Sequence, residues 1–497
     1  MKFIHIIFCL AFLFVTSCDD ALELSPPSSI SNASFWQTEN DARGANAGLY
    51  SQFRNTFDSK LQWWGEFRSD YWDWGTSGGA WDWGDFWMND VTPATSRTNW
   101  SNIYILINDA NLILKYVPDI AFSNEAEKEF ILGSAYFMRA FSYFQLAKIW
   151  GDAPIALEGF ESAAQELELT RSPVAEIYQQ AKDDVEQAVA LLPPANPGQE
   201  PYFATQAATN MLKADLYLWT AKVAGGGTAD LNTANAAVDA VLNAGYALEE
   251  NYETVFRDES SSEIIFSVFY SLIEAGTAEV ANDNKNRTTN GANISAITLH
   301  GASFVPEQFR DTVPTQSGLQ WLILDERFVN DVLKPADIDA RTPVIWQEEE
   351  LSIGEFVWIN KYIGEELNGL LQPTSDIIIY RYAEALLFKA EIENALGNSG
   401  EAINQLNRVA QRAYGVDNFY AASLSSEEID NAILDERIIE FVLEGKSFYD
   451  IRRFGQAFTR IPSLVGREGE KNGNILLLPV DQDIINRNPK IKQTEGY

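Results

Sequence analysis

The chain has 497 residues, 46% of them hydrophobic, with 71 Asp and Glu against 36 Lys and Arg for a net charge of −35. That balance excludes nucleic acid as a partner, since phosphate recognition needs clustered Lys and Arg, and it disfavours strongly anionic polysaccharides outside a local basic pocket. Length and apolar content suffice for one large core, carried as a single domain with insertions.

At the N-terminus, Lys2 precedes an apolar run over residues 3–15 that is too short to span a bilayer. The charged start and small-residue end mark a secretory signal. Phe14-Val15-Thr16-Ser17-Cys18 reads as a lipobox, predicting a signal peptide over 1–17 and lipidation of Cys18 as the mature N-terminus. Each buried methylene of such an anchor contributes ~0.8 kcal/mol. Residues 18–30 contain Pro26-Pro27-Ser28-Ser29 and no apolar period, and are expected to form a flexible tether. Loss of the signal removes Cys9 and His5, leaving Cys18 and His300 alone of their kinds. No intrachain disulfide, thiolate zinc site, His-rich metal site or cofactor is then expected. His300, in the polar stretch 298–302, is expected on the solvated surface.

Helical periodicity begins at 40–57, with Ala42, Ala45, Leu49 and Phe53 spaced for one face. Further helices are predicted over 99–116, 124–150 and 173–192, the last closed by Pro193-Pro194. Hairpins follow over 205–224 with 231–243, across Gly225-Gly226-Gly227, and over 379–396 with 399–414, across Gly397-Asn398. The last helices are predicted over 426–443 and 449–458. Small residues two helical turns apart recur as Gly133 and Ala140, Ala207 and Ala214, Ala383 and Ala390, each pair facing one neighbour closely. With Ala402 on the partner helix, this spacing predicts tetratricopeptide-like helix pairs. Between about 251 and 375 the character changes to short β-prone runs, such as 264–269, amid Gly, Asn and Thr. The fold class expected is mainly α, one domain over 31–497 with an irregular loop-rich insertion. Loops on a rigid scaffold are where binding surfaces concentrate.

Four separated segments point to one family. Arg139-Ala140-Phe141-Ser142-Tyr143-Phe144 with Gly151-Asp152-Ala153-Pro154 resembles a helix-then-strand signature, and Arg381-Tyr382-Ala383-Glu384-Ala385 with Lys389-Ala390-Glu391 a repeat helix. Glu436-Arg437, Glu440-Phe441 and Glu444-Gly445-Lys446, followed by Tyr449-Asp450-Ile451-Arg452-Arg453-Phe454-Gly455, resemble the most diagnostic motif. Leu478-Pro479-Val480 through Asn488-Pro489 to Gln493 and Tyr497 is similar to the C-terminus. The family these segments resemble is SusD/RagB, nutrient-binding outer-membrane lipoproteins. The resemblance implies a lipid-anchored, non-catalytic protein that holds glycan on the outer face of the outer membrane. It also implies a partner, a TonB-dependent, SusC-like barrel transporter over which the protein sits as a lid. Asp19, Asp20 and Glu23 look like the family's surface-export signal. Read structurally, Glu436, Arg437, Glu440, Glu444 and Arg452 are expected as buried ion pairs and helix caps, not as a catalytic site.

The stretch 63–87 carries Trp63, Trp64, Trp72, Trp74, Trp81, Trp83 and Trp87, seven of the 14 tryptophans, amid Gly, Asp and Ser. A pyranose offers an apolar face to an indole and a hydroxyl rim to Asp, Asn and Arg. Covering ~50 Å² per stacked ring gives ~1 kcal/mol, so three platforms supply ~3–4 kcal/mol toward micromolar to millimolar affinity. Trp63 and Trp64 are assigned to the core. The glycan-binding candidates are Arg68, Asp70, Trp74, Trp81, Asp82, Trp83 and Trp87, with Trp321 from the insertion. Tyr270, Trp346 and Trp358 are weaker candidates and more in keeping with structural roles. The ligand expected is a neutral polysaccharide, a laminarin-type β-1,3-glucan first and an α-glucan next, because the average field repels anionic sugars. Two other readings remain open: a peptide-binding lipoprotein of the same fold, and, more remotely, a glycoside hydrolase using Asp70, Asp73, Asp82 or Asp85.

Overall fold

Thr38 opens the first helix, α1 (Glu39–Phe57), with a capping box: its side chain accepts from the Asp41 amide while the Asp41 carboxylate accepts from the Thr38 amide at 2.7 Å. The computed structural model describes residues 35–76, 82–162, 165, 168–271, 298–316, 320–333, 338–367, 370–372 and 374–497. The expected signal peptide, Cys18, the tether and Trp81 lie outside the described residues. No helix among those described is long and apolar enough to cross a membrane.

A short helix α2 (Lys60–Gly65) and a single turn, α3 (Gly84–Trp87), precede α4 (Ser101–Tyr116), which packs on α1. The centre of the molecule is α5 (Glu125–Trp150), capped by Asn124 and ended at Gly151, whose φ of 75° suits glycine. From Phe137 to Trp150 every residue of α5 is buried. A helix covered on all sides needs no polar face, which explains its weak amphipathicity. Of its two deep cations, Arg139 and Lys148, Arg139 is answered by both Asp184 carboxylate oxygens, at 2.8 and 2.6 Å, and by Asn111 Oδ1 at 2.7 Å.

Helix pairing follows the small-residue spacing. α5 packs on α6 (Val174–Leu191), α7 (Gln206–Val223) on α8 (Gly227–Leu242), and α9 (Tyr382–Ala395) on α10 (Ser399–Tyr414). A Cβ at Gly133 would stand 2.8 Å from Leu192 Cγ, so the close approach of α5 to the end of α6 requires the glycine. Ala140, Ala214, Ala383, Ala390 and Ala402 are fully buried. α11 (Ser426–Glu440) and α12 (Ser447–Arg453) complete the helical body.

Several boundaries differ from expectation. Residues 379–381 are not the start of a helix: they belong to β10 (Ile377–Arg381), which pairs antiparallel with β2 (Ile264–Val268), both strands buried on both faces. Three consecutive isoleucines and a tyrosine favour that sheet core over a helix turn. α8 begins at Gly227, four residues before 231, while α11 stops at Glu440 and α12 spans Ser447–Arg453. The insertion holds small sheets: β1 (Trp72–Trp74) pairs with β5 (Leu322–Leu324), β3 (His300–Gly301) with β4 (Thr315–Gln316), and β6 (Trp346–Leu351) forms a hairpin with β7 (Gly354–Ile359). β8 (Glu365–Leu367) and β9 (Leu370–Gln372) join β3 and β4 in one sheet.

His300 is not solvated. It is 2% exposed, its Nε2 lies 2.9 Å from the Val357 carbonyl, and burial pulls its pKa below the usual histidine value. Sheet formation with β4 turns a polar-looking loop inward. Tyr270, Trp346 and Trp358 are likewise buried, and so serve the core.

The motif carboxylates form a buried charge lattice. Arg381 donates to Glu263 at 2.7 Å, to Glu440 at 2.5 Å and to Glu444 at 2.9 Å. Arg341 reaches Asp339, Glu436 and Glu440, and Arg437 reaches Glu384 and Asp450. Arg452 instead caps α5, donating to the Lys148 carbonyl at 3.1 Å. Removing one member of such a lattice strands a charge, at a cost of about 3–5 kcal/mol.

Candidate functional site

The candidate site is made where the chain reverses after α2. Asp70 adopts φ 62°, ψ 31°, and Tyr71 then leads into β1. Alternation along β1 puts Trp72 and Trp74 on one face and Asp73 on the other. Trp72 is buried against Phe67, with centroids 4.7 Å apart, whereas Trp74 at the open end of the strand is half-buried. The Gly75 amide donates to the Trp321 carbonyl at 2.8 Å, and a Cβ there would lie 2.7 Å from the Gln320 carbonyl oxygen. Glycine at 75 therefore lets the insertion close on the Trp-rich segment and brings Trp321 to it.

Three half-buried indoles meet there. Trp74 and Trp83 lie 6.3 Å apart with planes 17° from parallel, and Trp83 and Trp321 lie 5.5 Å apart at 54°. Beneath them, Trp87 meets Trp74 edge-on at 5.1 Å and Trp63 meets Trp83 edge-on at 5.0 Å. The Arg97 guanidinium sits 4.2 Å from the Trp63 ring and 4.7 Å from the Trp83 ring. Burial draws the Arg97 pKa down to about 10, still a full cation at neutral pH. Cation–π contacts of this kind orient the rings.

Carboxylates hold the loop shut. Asp82 accepts from the Ser96 amide and, at 2.8 Å, from the Ser96 hydroxyl, which itself accepts from Arg97 Nη1 at 3.0 Å. Asp85 accepts from the Thr95 hydroxyl at 2.7 Å. Asp82 is thus a brace for the aromatic cluster through the turn that carries Arg97. Asp73, on the opposite face of β1, is exposed.

Three of the candidates lie in the interior. Arg68 is 2% exposed and spends its donors on Asn89 Oδ1 at 3.0 Å and on the Leu476 and Ile475 carbonyls at 3.0 and 2.7 Å. It anchors the C-terminal segment and lies too deep to reach a sugar hydroxyl. Asp70 is buried, accepting from the Ser463 amide at 3.0 Å. Trp87, 5% exposed, is the floor of the cluster rather than a platform. Trp63 and Trp64 are core, as expected. Arg97 was missed by the sequence reading, because nothing in a Ser/Thr/Pro-rich turn distinguishes a cation that returns over two indoles from a solvated one.

Comparison with known proteins decides the family. A family model described as starch-binding associating with outer membrane matches residues 47–218, and one described as SusD family matches residues 355–497. The chain belongs to the SusD/RagB family. This SusD/RagB protein is 24% identical to SusD-like protein P38 of Formosa agariphila, across 97% of this chain and 96% of the relative. It is 24% identical to the starch-binding protein SusD of Bacteroides thetaiotaomicron, across 82% of this chain and 80% of the relative. Among solved structures, B. fragilis NanU superposes with a TM-score of 0.75 at 27% identity, covering 95% of this chain and all of that one. A SusD superfamily protein of Bacteroides fragilis reaches a TM-score of 0.76 at 25% identity. The fold of this SusD/RagB chain, helix pairs with a loop-rich insertion, is therefore that of its relatives.

Proposed function

We propose that this protein captures a neutral glycan at the outer-membrane surface, without hydrolysing it, and hands it to a TonB-dependent barrel transporter. The observation that carries the reading is the convergence of Trp74, Trp83 and Trp321, three half-buried indoles from two distant segments, on one braced surface. Rings held at 17° and 54° to one another suit a chain whose sugar faces turn as it curves. Family membership and the outer-membrane wording of the matching family support the setting. The net charge of −35 favours an uncharged ligand, with a laminarin-type β-1,3-glucan ahead of an α-glucan.

Calorimetry against laminarin, starch, mannan, alginate, a sulfated galactan and a peptide mixture tests this reading. Binding to a neutral glucan is expected; binding to alginate or peptides alone would overturn it. New reducing ends on any glycan would remove the non-catalytic part. For the partner, mild-detergent pull-down from the source membrane is expected to recover a barrel transporter, and recovery of monomer alone across several growth substrates would count against it.

A further inference from the structure

A small interior cavity of about 40 Å³ lies where α5, α7, β10, α11 and α12 meet. Four side chains that line it carry buried polar atoms with no hydrogen-bond partner among the described residues: Gln145 Oε1, Arg437 Nη1, the Tyr449 hydroxyl and Asp450 Oδ2. All four residues are 5% exposed or less. Asp450 Oδ2 does have a close cation, Arg437 Nε at 2.9 Å, so its deficit is one of hydrogen-bond angle. The other three make no hydrogen bond among the described residues. On the same wall, Lys148 Nζ stands 3.9 Å from Asp215 Oδ2, beyond a direct hydrogen bond. A polar separation of that length is where a bridging water sits.

We propose that this cavity is a buried hydration site whose waters join Gln145, Lys148 and Asp215 to Arg437 and Tyr449. Three arguments select water over other occupants. A volume of about 40 Å³ holds roughly two or three water centres and no sugar ring. Cationic and anionic side chains line it in equal numbers, so it offers no net attraction to an ion. Both donors and acceptors are left over, the Arg437 and Tyr449 hydrogens and Gln145 Oε1, and water serves both roles. The site also has a place in the architecture. Gln145, Lys148 and Asp215 belong to the first family-matched segment and Arg437, Tyr449 and Asp450 to the second, so the waters bridge two parts of the chain that are distant in sequence.

The test combines density with a sign. A crystal structure of the purified protein at a resolution that orders waters is expected to show density within hydrogen-bond distance of Gln145 Oε1, the Tyr449 hydroxyl and Lys148 Nζ. Bromide soaking is expected to leave no anomalous peak there. In parallel, the melting temperature of Tyr449→Phe is compared with wild type. A hydroxyl satisfied by water is missed when removed, so the melting temperature falls; an orphan hydroxyl in a dry cavity is better gone, so it stays level or rises. A dry cavity, an anomalous bromide peak, or a Tyr449→Phe variant as stable as wild type would each overturn the proposal. Should that variant fail to fold, the wild-type density decides alone.

Discussion

Trp83 takes Trp74 near-parallel on one side, centroids 6.3 Å apart, and Arg97 on another, its guanidinium 4.7 Å from the ring. One indole is thus fixed by a stacking neighbour and a cation at once, and its orientation is set before any ligand arrives. Such preorganisation removes part of the ordering cost of binding.

The first prediction follows directly. Trp74→Ala, Trp83→Ala and Trp321→Ala should each weaken glycan binding by about 1–3 kcal/mol, by analogy with aromatic stacking on bases. Titration calorimetry on the best ligand of the panel reads this. Wild-type affinity in all three would remove the site from consideration.

Arg68 should behave in the opposite way. Arg68→Met leaves the Ile475 and Leu476 carbonyls and Asn89 Oδ1 without their donors. The expected loss of stability is about 1–3 kcal/mol, seen in urea unfolding, with affinity unchanged in whatever fraction remains folded. A variant as stable as wild type but unable to bind would return Arg68 to the ligand site.

Acid stability provides a third test. Burial alone would raise the Glu391 carboxyl, but Arg453, bidentate at 2.9 and 2.8 Å, and Lys222 at 3.1 Å hold it at about 2. Glu440 and Glu444 are lowered too, by their arginine neighbours against the same burial. A depressed carboxyl contributes stability that is fully present above its unfolded value of 4.5 and is lost as pH falls toward the folded value. Glu66 has the reverse sign: burial lifts it to about 7, so its contribution is full below 4.5 and lost as pH rises through 7. Urea midpoints should therefore drop steeply between pH 4.5 and 2, and Glu391→Gln should flatten that limb.

The anchor gives a fourth. Cys18→Ala should leave the protein as unprocessed precursor or free in the soluble fraction, read by membrane fractionation and by protease accessibility on intact cells. Full retention with the outer membrane, exposed at the surface, would defeat the lipobox reading.

The helical body was legible in the chain. The 3.6-residue apolar spacing of α1, the Asn124 cap and Gly151 stop of α5, and the alanine pairs of the hairpins are local signals, written within a few residues of where they act. The charged motif was legible as structural for a similar reason, because so many Glu and Arg on helices with apolar neighbours must be paired when buried. Long-range packing settled the rest. Whether Arg68, Asp70 and Trp87 face a ligand or the interior depends on Ile475, Leu476 and Ser463, some four hundred residues away in the chain for Arg68 and Asp70. His300 and the 377–381 strand turned inward because β4 and β2 were there to pair with them. Arg97 became part of the site only when its turn folded back over Trp63 and Trp83. Periodicity reports which face of an element is apolar; which distant element covers that face is a property of the packed chain alone.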